Sequence, residues 1–172
     1  MKKVGIIGAM ELEVETLKSK MEVKSTTTKA RMEFFEGTLN GVEVVIVRSG
    51  IGKVNAGMCT QILSDLYGVT HIINTGVAGS LDAAIDIGDI VVSTEVLQHD
   101  VDATNFGYPL GEIPQIGTLT FPADEKMAAL AKEVCEKVNT EIKVFQGLIV
   151  SGDQFVADKA VKQRITDNIH GL

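Results

Sequence analysis

Val4-Gly5-Ile6-Ile7-Gly8-Ala9-Met10-Glu11-Leu12-Glu13 runs from an apolar segment through a glycine turn into an acidic one. Val4 to Ile7 reads as a buried strand, because a short unbroken apolar run bounded by a turn suits a sheet covered on both faces. Glu11 to Met21 reads as an amphipathic helix. Met10, Glu13, Val14 and Leu17 follow the spacing i, i+3, i+4, i+7 and so share one helix face. A strand, a glycine turn and a helix open an α/β fold, and ligands gather at loops leaving the carboxyl ends of such strands. Loops of this kind commonly meet phosphate with backbone N–H groups and a cation. This one carries Glu11, Glu13 and Glu15, a choice expected to repel an anionic ligand and to suit a base acting on water.

The pattern continues in both registers. Phe34 to Leu39 and Val42 to Val47 read as strands joined by Asn40-Gly41, a type I′ hairpin signal. Gly50-Ile51-Gly52 breaks the chain before a helix from about Asn55 to Tyr67. Thr70 to Asn74 is a further strand, ending in Thr75-Gly76-Val77-Ala78-Gly79. Asp89 to Ser93 is another, extended after a bend by Glu95 to Gln98. Residues 100–121 read as irregular, with Pro109, Gly111, Pro114 and Gly117. Pro122 is expected to open a long helix to about Val138. Val144 to Val150 is a strand, Ser151-Gly152-Asp153 a turn, and Asp158 to Asp167 a helix. Residues 168–172 resemble the approach to one more strand. The fold class is therefore α/β, with a mixed, mainly parallel central sheet flanked by helices. Its 172 residues are expected to form a single domain.

Composition excludes several functions. The chain carries 16 basic against 23 acidic residues, and no Lys/Arg run exceeds two. Phosphate backbones and anionic membrane surfaces demand clustered cations, so neither nucleic acid nor a membrane is an expected partner. No apolar run approaches the length of a transmembrane helix. Cys59 and Cys135 sit far apart in helical patterns and read as reduced core residues of a cytosolic protein.

Each candidate motif has a plainer reading beside the functional one. Glu13 lies on the apolar helix face, where a carboxylate is costly unless paired or working, and desolvation raises a carboxyl pKa toward that of a general base. Acids in a first helical turn also simply complement the helix dipole. Ser49-Gly50-Ile51-Gly52-Lys53 fails the Walker spacing and reads either as a strand-to-helix turn or as a close backbone approach to a ligand. At 74–79 Val77 supplies no side-chain chemistry, so any contact there is backbone or shape. Phe155 is either core or a ring that stacks on a flat ligand. Small, Gly-rich loops after several strands would converge on one sheet edge and favour a small-molecule pocket. His99, Asp100 and Asp102 are a weak metal set and read as a solvated or interface loop. His71 and His170 have no evident partners. No Ser-His-Asp or Cys/His nucleophile arrangement stands out.

Four stretches together carry a resemblance: Gly5-Ile-Ile-Gly-Ala-Met-Glu, Ser49-Gly-Ile-Gly-Lys-Val-Asn-Ala, Ile73-Asn-Thr-Gly-Val-Ala-Gly and Gly147-Leu-Ile-Val-Ser-Gly-Asp-Gln-Phe. In order and spacing the chain resembles bacterial 5′-methylthioadenosine/S-adenosylhomocysteine nucleosidases of the nucleoside phosphorylase superfamily. The resemblance implies hydrolysis of the bond between adenine and a 5′-thio-substituted ribose, as in methionine salvage. It implies a cytoplasmic homodimer with no metal or organic cofactor. Glu13 matches the carboxylate that helps activate water. Ala9 and Ile51 match residues lining the nucleoside pocket, and Ala78 and Gly79 fall in the loop beside ribose and base. Phe155 matches the ring stacking on adenine, and Val156 the residue whose backbone contacts it. Phe106 and Pro114 match residues that one subunit lends to its partner's 5′-thio pocket.

Two departures stand out. The family commonly has Ser where this chain has Val77. Its members also continue beyond the position of Leu172 into a Met-Glu segment that binds ribose hydroxyls and a Ser-Asp pair whose Asp protonates adenine. The resemblance therefore leads to an expectation of a domain incomplete at its C-terminus and of impaired catalysis, with a nucleoside-binding or dimerising remnant, or a purine nucleoside phosphorylase, as the alternatives.

Overall fold

The computed structural model describes residues 2–169. His170 and the end of the expected 168–172 approach to a strand lie outside the described residues. The chain divides into two compact units, residues 1–78 and 79–172.

The first unit is built on a five-stranded sheet in the order β2-β3-β4-β1-β5. Its strands are β1 (Lys3–Gly8), β2 (Glu22–Lys29), β3 (Met32–Leu39), β4 (Val42–Arg48) and β5 (His71–Asn74). β1 runs parallel to both β4 and β5, while β2, β3 and β4 form an antiparallel meander. The Asn40-Gly41 turn is left-handed at both residues, with φ 50° and 79°, as a type I′ hairpin requires. β2 is the element the sequence did not announce. All eight of its residues are exposed, so it lacks the apolar alternation that marks a half-buried strand, and its backbone pairing is with β3 at the sheet edge.

Helices α1 (Glu11–Lys20) and α2 (Lys53–Tyr67) cover the two faces. Alternation along the strands decides which residue meets which helix. Ile6, Val44 and Ile46 pack with Val14 and Met21 on the α1 side. Ile7, Val45 and Val47 pack with Cys59 and Leu63 on the α2 side, where Phe34 stacks on Tyr67 with ring centroids 5.2 Å apart. Strands buried on both faces explain why β1 and β4 read as unbroken apolar runs. Burial pushes the Cys59 thiol up to about 11, and both Cys59 and Cys135 are free.

The second unit holds a three-stranded sheet, β7-β6-β8, in which β6 (Ile90–Gln98) pairs parallel with β8 (Val144–Ser151) and antiparallel with the short β7 (Phe121–Pro122). The bend expected after Ser93 is a β-bulge: the register with β8 shifts between Ser93 and Glu95. One expectation is corrected. Pro122 does not open the following helix but pairs with Glu95 in β7, and α3 runs Glu125–Val138. Asp124 is the stronger start signal, because its Oδ1 accepts the N–H of Met127 at 2.9 Å. The last helix, α4 (Lys159–Asn168), is capped in the same way by Asp158, which accepts from Ala160 and Val161. Residues 100–120 are irregular apart from a 3-10 turn at Thr104–Phe106.

Candidate active site

β4, β1 and β5 are adjacent and parallel, so their carboxyl ends and the loops that leave them share one sheet edge. From β1 the chain crosses to the α1 face, and from neighbouring β4 it crosses to the α2 face. Loops that diverge in this way leave a crevice between them, the usual ligand position in an open α/β sheet. A cleft of about 380 Å³ lies there, lined by Ala9 and Met10 after β1 and by Ser49, Gly50 and Ile51 after β4. Such a volume is within the range of small-molecule sites. Backbone hydrogen bonds stitch the loops after β4 and β5 to β1: Ser49 N–H donates to Gly8 O, and Thr75 N–H to Ile7 O, each at 2.9 Å. Asn55 Nδ2 donates to Ile51 O and fixes the 50–52 turn from the start of α2.

Glu13 is half-buried in the first turn of α1. Its Oε2 accepts the N–H of Met10 at 2.8 Å, which satisfies an otherwise orphaned donor at the helix start. Its Oε1 accepts the N–H of Val77 at 3.2 Å, from the loop after β5. The first bond is what a capping acid makes. The second is long-range and is not explained by capping. A carboxylate has about four acceptor sites, so two N–H donors orient the group and leave lone pairs for water. Two glycines permit this placement. A Cβ on Gly8 would stand 2.7 Å from Val14 Cγ1 and 3.0 Å from Glu13 Cβ, and one on Gly76 would stand 3.0 Å from Glu13 Oε1. The contact at residue 77 is indeed made by backbone; the Val77 side chain is 81% exposed.

Glu11 and Glu15 do not share this role. Glu11 is paired with Lys18 Nζ at 2.8 Å and lies 3.8 Å from Arg48 Nε, while Glu15 is exposed. The expectation that this acidic turn would repel an anion is corrected accordingly: Arg31 and Arg48 line the same cleft as Ala9 and Ile51, and Glu11 is already partnered. Sequence reasoning missed both arginines. Arg48 ends β4 immediately before the 49–53 loop, a position that could have marked it. Arg31 comes from the β2–β3 turn, whose approach to the cleft only the sheet order reveals.

The structure thus brings Ala9 and Ile51 to one cleft and ties Glu13 to the loop after β5 that carries Ala78. In the second unit Phe155 follows β8 and is 97% exposed, Val156 is 38% exposed, and Phe106 in the 3-10 turn is 84% exposed. Gly79 and Pro114 are exposed as well. Phe155 is therefore not core. Asp100 Oδ2 accepts the N–H of Asp153 at 2.8 Å and anchors the turn that leads to Phe155. Asp102 Oδ1 accepts from the hydroxyl and N–H of Thr104, which hold its carboxyl below the usual range. These aspartates organise loops. Among the described residues no three His, Cys, Asp or Glu side chains cluster as metal ligands would.

The sequence profile of the phosphorylase superfamily matches residues 3–171. The chain belongs to this superfamily, in its 5′-methylthioadenosine/S-adenosylhomocysteine nucleosidase family. It is 47% identical over 165 residues to the nucleosidase of Halalkalibacterium halodurans, covering 96% of this chain and 70% of that protein. The solved nucleosidase of Colwellia psychrerythraea 34H, in complex with adenine, superposes with a TM-score of 0.95 at 43% identity over 99% of this chain and 70% of that one. The Neisseria meningitidis nucleosidase in complex with methylthio-immucillin-A gives 0.95 at 38% identity, over 100% of this chain and 74% of that one. The α/β fold with a mixed sheet flanked by helices is the fold of these nucleosidases.

Proposed function

We propose that this protein hydrolyses the N-glycosidic bond of 5′-methylthioadenosine and S-adenosylhomocysteine, releasing adenine and the 5′-thioribose product. The observation that carries this reading is the Glu13 carboxylate, held by N–H groups from the loops after β1 and β5, one of them that of Met10, which lines the cleft of about 380 Å³. Cleavage passes through an oxocarbenium-like state, and water must be positioned and partly deprotonated as the carbon–nitrogen bond opens. Glu13 is the base for that water. Ala9 and Ile51 line the nucleoside pocket, with Ala78 and Gly79 beside ribose and base. Phe155 stacks on adenine and Val156 meets it through backbone. Both units then belong to one nucleosidase-like domain, acting in methionine salvage in the cytoplasm as a homodimer whose Phe106 and Pro114 complete the partner's pocket. Among the described residues no helix is long and apolar enough to cross a membrane.

The test is adenine release from 5′-methylthioadenosine, with Glu13→Gln as control and with phosphate present or absent. Turnover that is independent of phosphate and lost in the variant supports hydrolysis with Glu13 as base. Turnover that requires phosphate, or ligand-dependent thermal stabilisation without adenine release, overturns it.

A further inference from the structure

The cleft has a charged side that water activation does not use. Arg31 and Arg48 line it, and they also line an adjoining depression of about 230 Å³ shared with Lys18, Glu11, Glu33 and Thr28. Three cations there face two carboxylates, in a chain whose formal net charge is −7. Glu11 is occupied by Lys18, with hydrogen bonds of 2.8 and 3.0 Å. Arg48 reaches Glu11 only at 3.8 Å through Nε, and among the described residues Arg31 makes no ion pair. Arg31 sits at φ 65° beside Ala30 at φ 48°, so a two-residue turn in left-handed conformation carries it to the cleft. A non-glycine residue there is uncommon, and neither Ala nor Arg is a residue such turns select.

We propose that Arg31, supported by Arg48, forms a subsite for the α-carboxylate of an amino-acid tail on the 5′-sulfur of the nucleoside, and so favours S-adenosylhomocysteine over 5′-methylthioadenosine. The proposal rests on the nucleosidase reading, in which Ile51 and Ala9 line the nucleoside pocket. Both substrates place adenosine in the same cleft. They differ in the 5′ substituent: a methyl group in one, and in the other a chain ending in a carboxylate and an ammonium. Guanidinium forks match a carboxylate in plane and charge. A methylthio group carries no charge for the arginines to meet, so they act on one substrate and not on the reaction common to both. Arg31 is thus a specificity residue rather than a catalytic one.

The experiment compares both nucleosides on wild-type protein and on Arg31→Met and Arg31→Lys, reading kcat/KM from adenine release and Kd from calorimetry. Arg31→Met lowers the ratio of the two kcat/KM values, S-adenosylhomocysteine over 5′-methylthioadenosine, by roughly fivefold, the scale of a partly exposed ion pair. Arg31→Lys restores part of it, since charge survives without the fork. Raising salt lowers the wild-type ratio more steeply than that of Arg31→Met, in which Arg48 remains. A ratio that stays within about twofold in Arg31→Met, while wild-type protein cleaves both nucleosides, overturns the subsite and leaves the hydrolase intact. If wild-type protein releases no adenine, the calorimetric ratio still decides: a selective loss for S-adenosylhomocysteine upholds the subsite and sinks the hydrolase. Absence of binding by either nucleoside overturns both. Inorganic phosphate tests the same cations as a phosphate site, and phosphate-stimulated turnover lost in Arg31→Met overturns the proposal.

Discussion

One oxygen of the Glu13 carboxylate accepts the N–H of Val77 at 3.2 Å across 64 residues of sequence, while the other accepts the N–H of Met10 at 2.8 Å. Glu13→Gln sets an NH₂ group against one of these two donors, whichever way the amide turns, and removes the carboxylate proposed as base. Adenine release falls by about 10²–10⁴, the usual contribution of a general base, while a folded protein remains. Glu13→Asp is also impaired, because a side chain one methylene shorter cannot span both donors. Steady-state rates and thermal unfolding of the two variants check this.

Gly8 and Gly76 should separate stability from activity. The Cβ of Gly8→Ala meets Val14 Cγ1 at 2.7 Å, and Val14 is fully buried, so the clash is absorbed by the core. Overpacking of this kind costs about 1–3 kcal/mol, read as a lower urea midpoint at unchanged slope. The Cβ of Gly76→Ala meets only the end of the Glu13 side chain, at 3.0 Å. That carboxylate can swing away, so kcat falls more than stability does.

Phe155 is 97% exposed, and its removal leaves little to repack. Phe155→Ala therefore shifts unfolding by no more than about 0.5 kcal/mol. If the ring stacks on adenine, KM rises by roughly five- to a hundredfold, on the order of 1–3 kcal/mol of stacking. Initial rates over a substrate series measure it.

Asp89 ties the start of β8 to the turn before β6. Its Oδ2 accepts the N–H of Asp86 and its Oδ1 that of Lys143, each at 2.9 Å, and these backbone donors hold its carboxyl below the usual range. A carboxyl with a pKa lower in the folded than in the unfolded chain stabilises the fold above its unfolded value. That contribution disappears as pH falls through the folded value. Thermal stability should accordingly decline below about pH 4, and Asp89→Asn should flatten that part of the profile. Unfolding followed across pH 2.5–6 by circular dichroism, an interval set about the ordinary carboxyl range, checks the prediction.

Cys59 is fully buried and its thiol is pushed up to about 11, so little thiolate exists at neutral pH. A thiol reagent should label half-buried Cys135 first and reach Cys59 only on unfolding. Mass spectrometry of the modified peptides reports the order.

Much of the fold was legible because β1 and β4 are buried on both faces and advertise it with unbroken apolar runs. Asn40-Gly41 fixed the hairpin through backbone chemistry alone. β2 was not legible, since an edge strand with every residue exposed has no apolar period to read. Pro122 misled because proline serves both at helix starts and in short edge strands, and the Asp124 cap two residues on was the stronger sign. Within the site, Glu13 was legible from its place on an apolar helix face. Its bond to Val77 was not, because a backbone donor leaves no trace in residue type. Arg31 was hidden for a different reason: its relevance comes from the order of strands, and no spacing along the chain encodes that.

Ile6 and Ile7 serve opposite layers, and the turn that carries Ala9 and leads into the helix of Glu13 begins only two residues later. Adding or deleting one residue within β1 would invert every later side chain of the strand. It would also carry the turn before Glu13 about 3.3 Å along the sheet. The length of β1 is therefore held more tightly than most of its letters, and an indel there would strip the core and displace Glu13 in a single event.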